Sequence, residues 1–244
     1  MRYAIVADIH ANITAFTAVL DDIERRGGVE ELWSLGDVVG YGPDPHQCIE
    51  LLCQHNHVCV AGNHDWAAVG KIDTSDFNPY AAAACQWTAK QLSPEDVQYL
   101  DNLPLRVQKG DFTIVHGSPR EPIWEYVVST GSAKQNFAYF QTQFCLIGHS
   151  HVPLVFEYSK SGTCLFSEFP DDTVLMLGEN RSIINPGGVG QPRDGDPRAS
   201  YAIYDDEARS ITLYRIPYDI SATQSRMMEH GLPKQLAVRL SYGV

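Results

Sequence analysis

The sequence predicts an α/β protein with a β-rich second half, and three observations carry that expectation. Over residues 3–65, short β-branched and apolar runs alternate with stretches of helical hydrophobic spacing, the pattern of successive strand-then-helix units. Beyond residue 151 the period shifts towards two, with turn residues between the runs, as expected of antiparallel strands. Strand candidates in the first 151 residues also end repeatedly in Asp, Asn or His. In an α/β sheet, loops at the carboxyl ends of strands converge on one edge.

Taken in order, residues 3–7 form an apolar run that ends in Asp8-Ile9-His10. Asn12 is placed to cap a helix in which Ile13, Phe16, Val19, Leu20 and Ile23 keep one face until Gly27-Gly28 stops it. Leu32-Trp33-Ser34-Leu35 then leads into Gly36-Asp37 and a glycine-rich loop. Asp44-Pro45 offers a cap and a first-turn proline for a helix carrying Cys48, Ile49, Leu51 and Leu52. A third strand, 57–61, runs into Gly62-Asn63-His64-Asp65, which reads as a tight strand-to-loop turn. Residues 66–105 read as a helical insertion with starts at Asn78-Pro79 and Ser93-Pro94. Strand character returns at 112–115, ending in His116-Gly117. It returns again at 144–147, ending in Gly148-His149-Ser150-His151, with a loop and a short helix between the two.

Further strands are expected at 154–158, 164–168, 174–177, 182–185, 201–204 and 211–216. After Pro217, Met227, Met228, Leu236, Val238 and Leu240 predict one or two helices that pack on the body or on a partner, compatible with a homo-oligomer. No repeat or low-complexity linker interrupts the chain, so one domain is expected over 1–244.

Composition excludes several classes. No apolar run approaches the ~20 residues of a membrane span, and the N-terminal run meets Asp8 too early for a signal peptide. The six cysteines form no Cys-x-x-Cys pair and several lie in apolar runs, which predicts buried thiols and a cytoplasmic protein. A net charge of -12 disfavours general nucleic-acid binding. A small phosphorylated substrate remains compatible if a metal supplies positive charge locally.

Five strand ends carry metal-ligand chemistry: Asp8 with His10, Asp37, Asn63 with His64 and Asp65, His116, and His149 with His151. Each has an ordinary explanation alone, since Gly36-Asp37 can be only a turn and a single histidine after a strand is usually a hydrogen-bonded rim residue. Jointly they hold five of the nine histidines, and the set points to metal binding. Carboxylate, imidazole and amide oxygen without thiolate suit manganese, iron, zinc, nickel or cobalt. Seven candidate ligands exceed one tetrahedral ion but suffice for two ions sharing a carboxylate, the arrangement that hydrolyses phosphate esters.

The ordered blocks Asp8-Ile9-His10, Gly36-Asp37-Val38-Val39-Gly40, Gly62-Asn63-His64-Asp65, His116-Gly117 and Gly148-His149-Ser150-His151 resemble the calcineurin-like metallophosphoesterase superfamily, in particular its small bacterial and archaeal phosphodiesterases. The resemblance implies a four-layer αββα sandwich with two divalent metal ions at one edge, manganese first and iron, zinc, nickel, cobalt or magnesium as alternatives. Carried over by position, Asp8, His10 and His151 would hold one ion and Asn63, His116 and His149 the other, with Asp37 bridging. The implied reaction is attack on phosphorus by a hydroxide held between the ions. His64 would assist the leaving group, with Asp65 orienting its ring and raising its pKa.

Gly188 and Arg193, in the glycine-rich segment 185–193, would approach and bind a phosphate; otherwise Arg193 is solvated or paired with Asp194 or Asp196. Arg120 and Trp124 are candidates for a substrate rim. Three alternatives stand beside a phosphodiesterase. A nucleotide or dinucleoside polyphosphate hydrolase would share the motifs. A serine/threonine protein phosphatase usually has an arginine in the second block and glutamate after the third-block histidine, where Val38-Val39-Gly40 and Asp65 stand here. A non-catalytic metal-bearing scaffold could dispense with ligands that this chain retains.

Overall fold

A computed structural model describes residues 1–244. The chain runs β1 (Arg2–Val6), α1 (Ile13–Arg25), β2 (Glu31–Ser34), α2 (Pro45–Cys53), β3 (His57–Cys59), α3 (Asn63–Ala68), α4 (Pro79–Ala89), α5 (Pro94–Asp101), β4 (Arg106–Lys109) and β5 (Phe112–Val115). It continues through α6 (Thr130–Asn136), β6 (Phe144–Leu146), β7 (Pro153–Tyr158), β8 (Cys164–Glu168), β9 (Val174–Met176) and β10 (Arg181–Pro186). β11 (Ala199–Asp205), β12 (Ser210–Ile216), α7 (Ile220–Glu229) and α8 (Lys234–Arg239) complete it.

Local chemistry explains most helix starts. Asn12 accepts from the Ala15 amide, Asn78 from Tyr80 and Ala81, and Ser93 from Asp96, each satisfying donors that a first turn leaves free. Asp44 departs from this pattern. Its carboxylate takes Nε and Nη2 of Arg226 at 3.1 and 3.0 Å instead of capping α2, because a charge-assisted pair outcompetes a single amide. The same contact ties α2 to α7.

The strands form two six-stranded sheets, ordered β3-β2-β1-β11-β12-β9 and β4-β5-β6-β10-β7-β8. Between them lies a core that includes Ile5, Trp33, Leu213, Phe112, Phe144 and Ile184. Burying each such side chain contributes about 1.5–3 kcal/mol, so the two sheets are held face to face by shape and apolar area. Outside the first sheet, Phe16, Val19 and Ile23 of α1 pack with Leu52 of α2 and Tyr201 of β11. Outside the second, Ala133 of α6 and Phe137 pack on Val115, Cys145 and Ile183. Helices thus cover both outer faces, which is the expected four-layer αββα sandwich. A fourth cluster joins Met227 of α7 and Leu236 of α8 to Tyr41 and to Ala81 and Ala84 of α4, so the tail packs on the body through the helical insertion.

Three features differ from expectation. The segment read as a turn at residues 62–65 starts a helix, with α3 beginning at Asn63 and Gly62 as its N-cap. The edge strand β4 has an alternating, largely solvated pattern and so little apolar signal. The second half is not purely antiparallel: β10 pairs antiparallel with β7 but parallel with β6. That parallel pair matters, because β1, β2 and β3 are parallel in one sheet and β5, β6 and β10 in the other. The carboxyl ends of the two parallel sets bring Asp8, Asp37, Asn63, His116 and His149 to one edge of the sandwich. No helix is long and apolar enough to cross a membrane.

Candidate active site

Three of the strand ends, those after β1, β2 and β6, reach this edge through a left-handed backbone. Asp8, His10, Asp37, His149 and His151 have φ between 49° and 66°, a region that costs non-glycine residues of order 1–3 kcal/mol each. Neighbouring loops hold them there. The Asp8 amide donates to Gly36 O at 3.1 Å, the His10 amide to Asp37 O at 2.9 Å and the Gly148 amide to His116 O at 2.8 Å. The loop after β10 closes the set, with Val189 and Gly190 donating to Ala7 O and Asp8 O, both at 2.9 Å.

The side chains gather in two groups whose ligand atoms lie within 4.8 Å of one another. In the first, His10 Nε2 is 3.1 Å from His151 Nε2, which is 3.4 Å from Asp8 Oδ1. In the second, His116 Nε2 is 3.1 Å from both His149 Nδ1 and Asn63 Oδ1. Asp37 stands between them, its Oδ2 3.6 Å from His10 Nε2 and 3.4 Å from His116 Nε2. That oxygen is buried and has no hydrogen-bond partner.

The outer nitrogens of the four histidines define the state of the inner ones. His10 Nδ1 faces Val39 O, His116 Nδ1 faces Leu35 O, His151 Nδ1 faces Gln191 O and His149 Nε2 faces Trp124 O. A carbonyl only accepts, so these nitrogens donate and the opposite nitrogens turn lone pairs inward. Lone pairs facing each other at 3.1 Å, with an unpartnered carboxylate oxygen between the groups, form a donor set that fits divalent cations. The electrostatics agree. Burial, helped by the Asp37 charge, pushes Asp8 well above the usual carboxylate range, and burial pushes Asp37 up to about 8. Burial also holds His10, His149 and His151 well below an ordinary imidazole and His116 down to about 4. The carboxylate shifts express buried charge that lacks a counter-ion, and the imidazole shifts keep those rings neutral, the form in which they ligate.

His64 lies beside the groups. Its ring is stacked on Phe77 at 4.8 Å and packed against Tyr41 at 4.3 Å, with Cys85 Sγ 3.2 Å from Nδ1. Gly40, at φ 89°, makes room for it, since a Cβ there would sit 2.5 Å from His64 Nδ1. Asp65 does not orient this ring. Its carboxylate accepts the amides of Asp37, Val39 and Gly62 at 2.8, 3.1 and 3.0 Å, clamping the loop after β2 to the start of α3. Nor is the His64 pKa raised: burial first, then the charges of Arg193 and His116, hold it well below the ordinary value.

A cavity of about 210 Å³ opens beside these residues, lined in part by Asp37, Asn63, His64, His149, His151 and Arg193. Arg193 Nε and Nη2 donate to Gln191 Oε1 at 3.3 and 2.8 Å. Neither neighbouring acid takes it, because Asp194 pairs with Arg215 and Asp196 with Arg198. Gly188 lies outside the cavity lining; a Cβ there would meet His151 Cβ at 3.1 Å and Asp8 Cβ at 3.4 Å, so its close approach is to the first group and not to a phosphate. Arg120 is also outside, bonded to Glu125 and Gln135, whereas Trp124 is in the wall. Sequence reasoning missed Tyr41, Phe77, Asn78 and Tyr126 in that wall. Tyr41 follows Gly40 in the second motif block, which is a usable signal; the others depend on how the insertion and the loop after β5 fold back.

The sequence model described as the calcineurin-like phosphoesterase superfamily domain matches residues 1–209. The chain is 39% identical to an uncharacterized protein of Methanocaldococcus jannaschii over 98% of this chain and 97% of that one. A crystal structure of a metallophosphoesterase from Sphaerobacter thermophilus is 48% identical, with a TM-score of 0.90 over 100% of this chain and 99% of that one. A symmetrical bis(5'-nucleosyl)-tetraphosphatase of Pseudomonas putida is 32% identical over 79 residues, 29% of this chain and 27% of that protein.

Proposed function

The chain belongs to the calcineurin-like phosphoesterase superfamily and is a metal-dependent phosphoester hydrolase, and from that premise we propose a two-metal phosphodiesterase acting on small phosphate esters. The observation that carries it is the buried, unpartnered Asp37 Oδ2 between two sets of inward-facing imidazoles. Asp8, His10 and His151 would hold one divalent ion and Asn63, His116 and His149 the other, with Asp37 shared and manganese the first candidate. Bound divalent ions supply an activated water and neutralise phosphoryl charge.

The chain's own groups do the rest. Arg193, a cavity-lining guanidinium without an acidic partner, binds a phosphoryl oxygen. His64 faces the leaving oxygen as a neutral donor and stabilises its developing negative charge by a hydrogen bond, keeping its ring proton while the leaving oxygen takes a proton from solvent. Asp65 acts one step back, holding the loop that carries Asp37. The free thiols, four of them buried, support a reducing, cytoplasmic setting. The packing of α7 and α8 on Tyr41 and α4 supports one functional domain over the whole chain.

The test is hydrolysis by metal-stripped protein reloaded with manganese, iron, zinc, nickel, cobalt or magnesium. Bis-p-nitrophenyl phosphate should be cleaved faster than p-nitrophenyl phosphate, with activity lost on chelation. The match to a tetraphosphatase favours one second reading, hydrolysis of nucleoside polyphosphates. Dinucleoside tetraphosphate turned over far better than either ester would replace the first reading with the second.

A further inference from the structure

His64 needs a group that fixes its plane and decides which nitrogen carries the ring proton, and Asp65 is spent on backbone amides. The polar side-chain atom within hydrogen-bond distance of the ring is Cys85 Sγ, 3.2 Å from Nδ1. Cys85 lies on α4, in the helical insertion, and is 1% exposed. Nothing in the metal or phosphate chemistry uses it. The other ring nitrogen, Nε2, has no partner within the chain, and His64 lines the cavity. The ring has little freedom to turn: Phe77, Tyr41 and His10 surround it at centroid distances of 4.8, 4.3 and 4.9 Å, and Gly40 leaves no spare room at Nδ1.

We propose that Cys85 is the positioning residue for His64: its thiol donates to Nδ1 and thereby places the ring proton on Nε2, facing the cavity. A thiol suits this place for a physical reason. Burial, and then the charges of Asp37 and Asp65, push the Cys85 thiol well above its usual value, so it keeps its proton and remains a donor. A carboxylate there would accept from Nδ1–H instead, leave Nε2 as a lone pair in the neutral ring, and add a buried negative charge beside Asp37. The S–H donor therefore gives a neutral ring the tautomer that can stabilise a leaving oxygen. The insertion becomes part of the active site through one atom.

This assignment rests on the reading of His64 as the leaving-group donor, and the experiment separates the two. Nitrogen-15 NMR of histidine-labelled protein at neutral pH reads the His64 tautomer directly. Wild type and Cys85→Ser, whose hydroxyl can still donate, should show Nε2–H, and Cys85→Ala a mixture. In the reconstituted enzyme, Cys85→Ala should lower kcat about 10-fold for an alkyl leaving group and about 2-fold for p-nitrophenolate, with KM little changed and Cys85→Ser restoring most of the loss. A Cys85→Ala protein that keeps the wild-type tautomer, or that loses equally on both leaving groups, overturns the proposal. If His64→Ala shows no preferential loss on the alkyl ester, the donor role of His64 falls, and the tautomer alone then decides the role of Cys85.

Discussion

Asp22 and Asp37 are both buried carboxylates, and the regions around them treat charge in opposite ways. On the face covered by α1, Asp22 accepts from Arg26 Nε at 2.6 Å, Tyr201 Oη at 2.8 Å and Arg25 Nη2 at 3.2 Å. Burial works against its ionisation, but those bonds outweigh burial and hold its pKa below the usual range. At the site edge, Asp37 receives the His64 amide on Oδ1 and nothing on Oδ2, and burial pushes it up to about 8. The satisfied carboxylate is a structural tie. The half-satisfied one leaves a place for a cation, since a buried charge without a partner is costly.

The contrast can be broken most directly at Asp37. Asp37→Asn should lower kcat by about 10³-fold or more, and elemental analysis should find fewer than two ions per chain. At pH 9, where the wild-type carboxyl is ionised, the metal-free variant should melt above metal-free wild type. Two retained ions, or a lower melting temperature, would undo the comparison. His10→Ala and His149→Ala should each lose one ion and about 10²-fold in rate, showing that the two groups are separate sites. Arg193→Ala should raise KM about 10-fold at unchanged metal content, in line with a charge-assisted phosphate contact.

Asp22→Asn is the smallest effect and the control. It should keep both ions and full activity while losing about 1.5–3 kcal/mol of stability at pH 7 by denaturant unfolding. The sign with pH follows from the lowered pKa. The folded state binds this proton less readily than the unfolded one, so the contribution is complete above about pH 3.9 and fades as pH falls through the folded value. The wild-type and Asp22→Asn stability curves should therefore converge in acid; parallel curves would show that Asp22 is not the group responsible.

The same contrast explains what could be read in advance. Asp8, Asp37, Asn63, His116, His149 and His151 were legible because each follows an apolar strand, and parallel strands deliver their carboxyl ends to one edge. Their assembly into two groups was implied by family resemblance. The left-handed backbones at Asp8, His10, Asp37, His149 and His151 were not legible, since no propensity favours such conformations in Asp or His enough to announce them. Adjacency to His64 suggests Asp65 as its side-chain partner, whereas three amides converge on the Asp65 carboxylate from the loop after β2 and from Gly62. Cys85 read only as a small buried hydrophobe. Its contact with His64 depends on how α4 folds back, a long-range consequence of packing with α7 and α8.

That packing has a consequence for the order of events during synthesis. All the candidate ligands precede residue 152, yet Tyr41 and α4 are buttressed by Met227, Leu232, Leu236 and Leu240. At about 5–20 residues per second, the ligand-bearing loops emerge from the ribosome several seconds before the helices that steady one wall of their cavity. For that interval the nascent chain carries its imidazoles and carboxylates without a finished enclosure. The wall that Tyr41 and α4 form is therefore steadied only once residues 227–240 have been made.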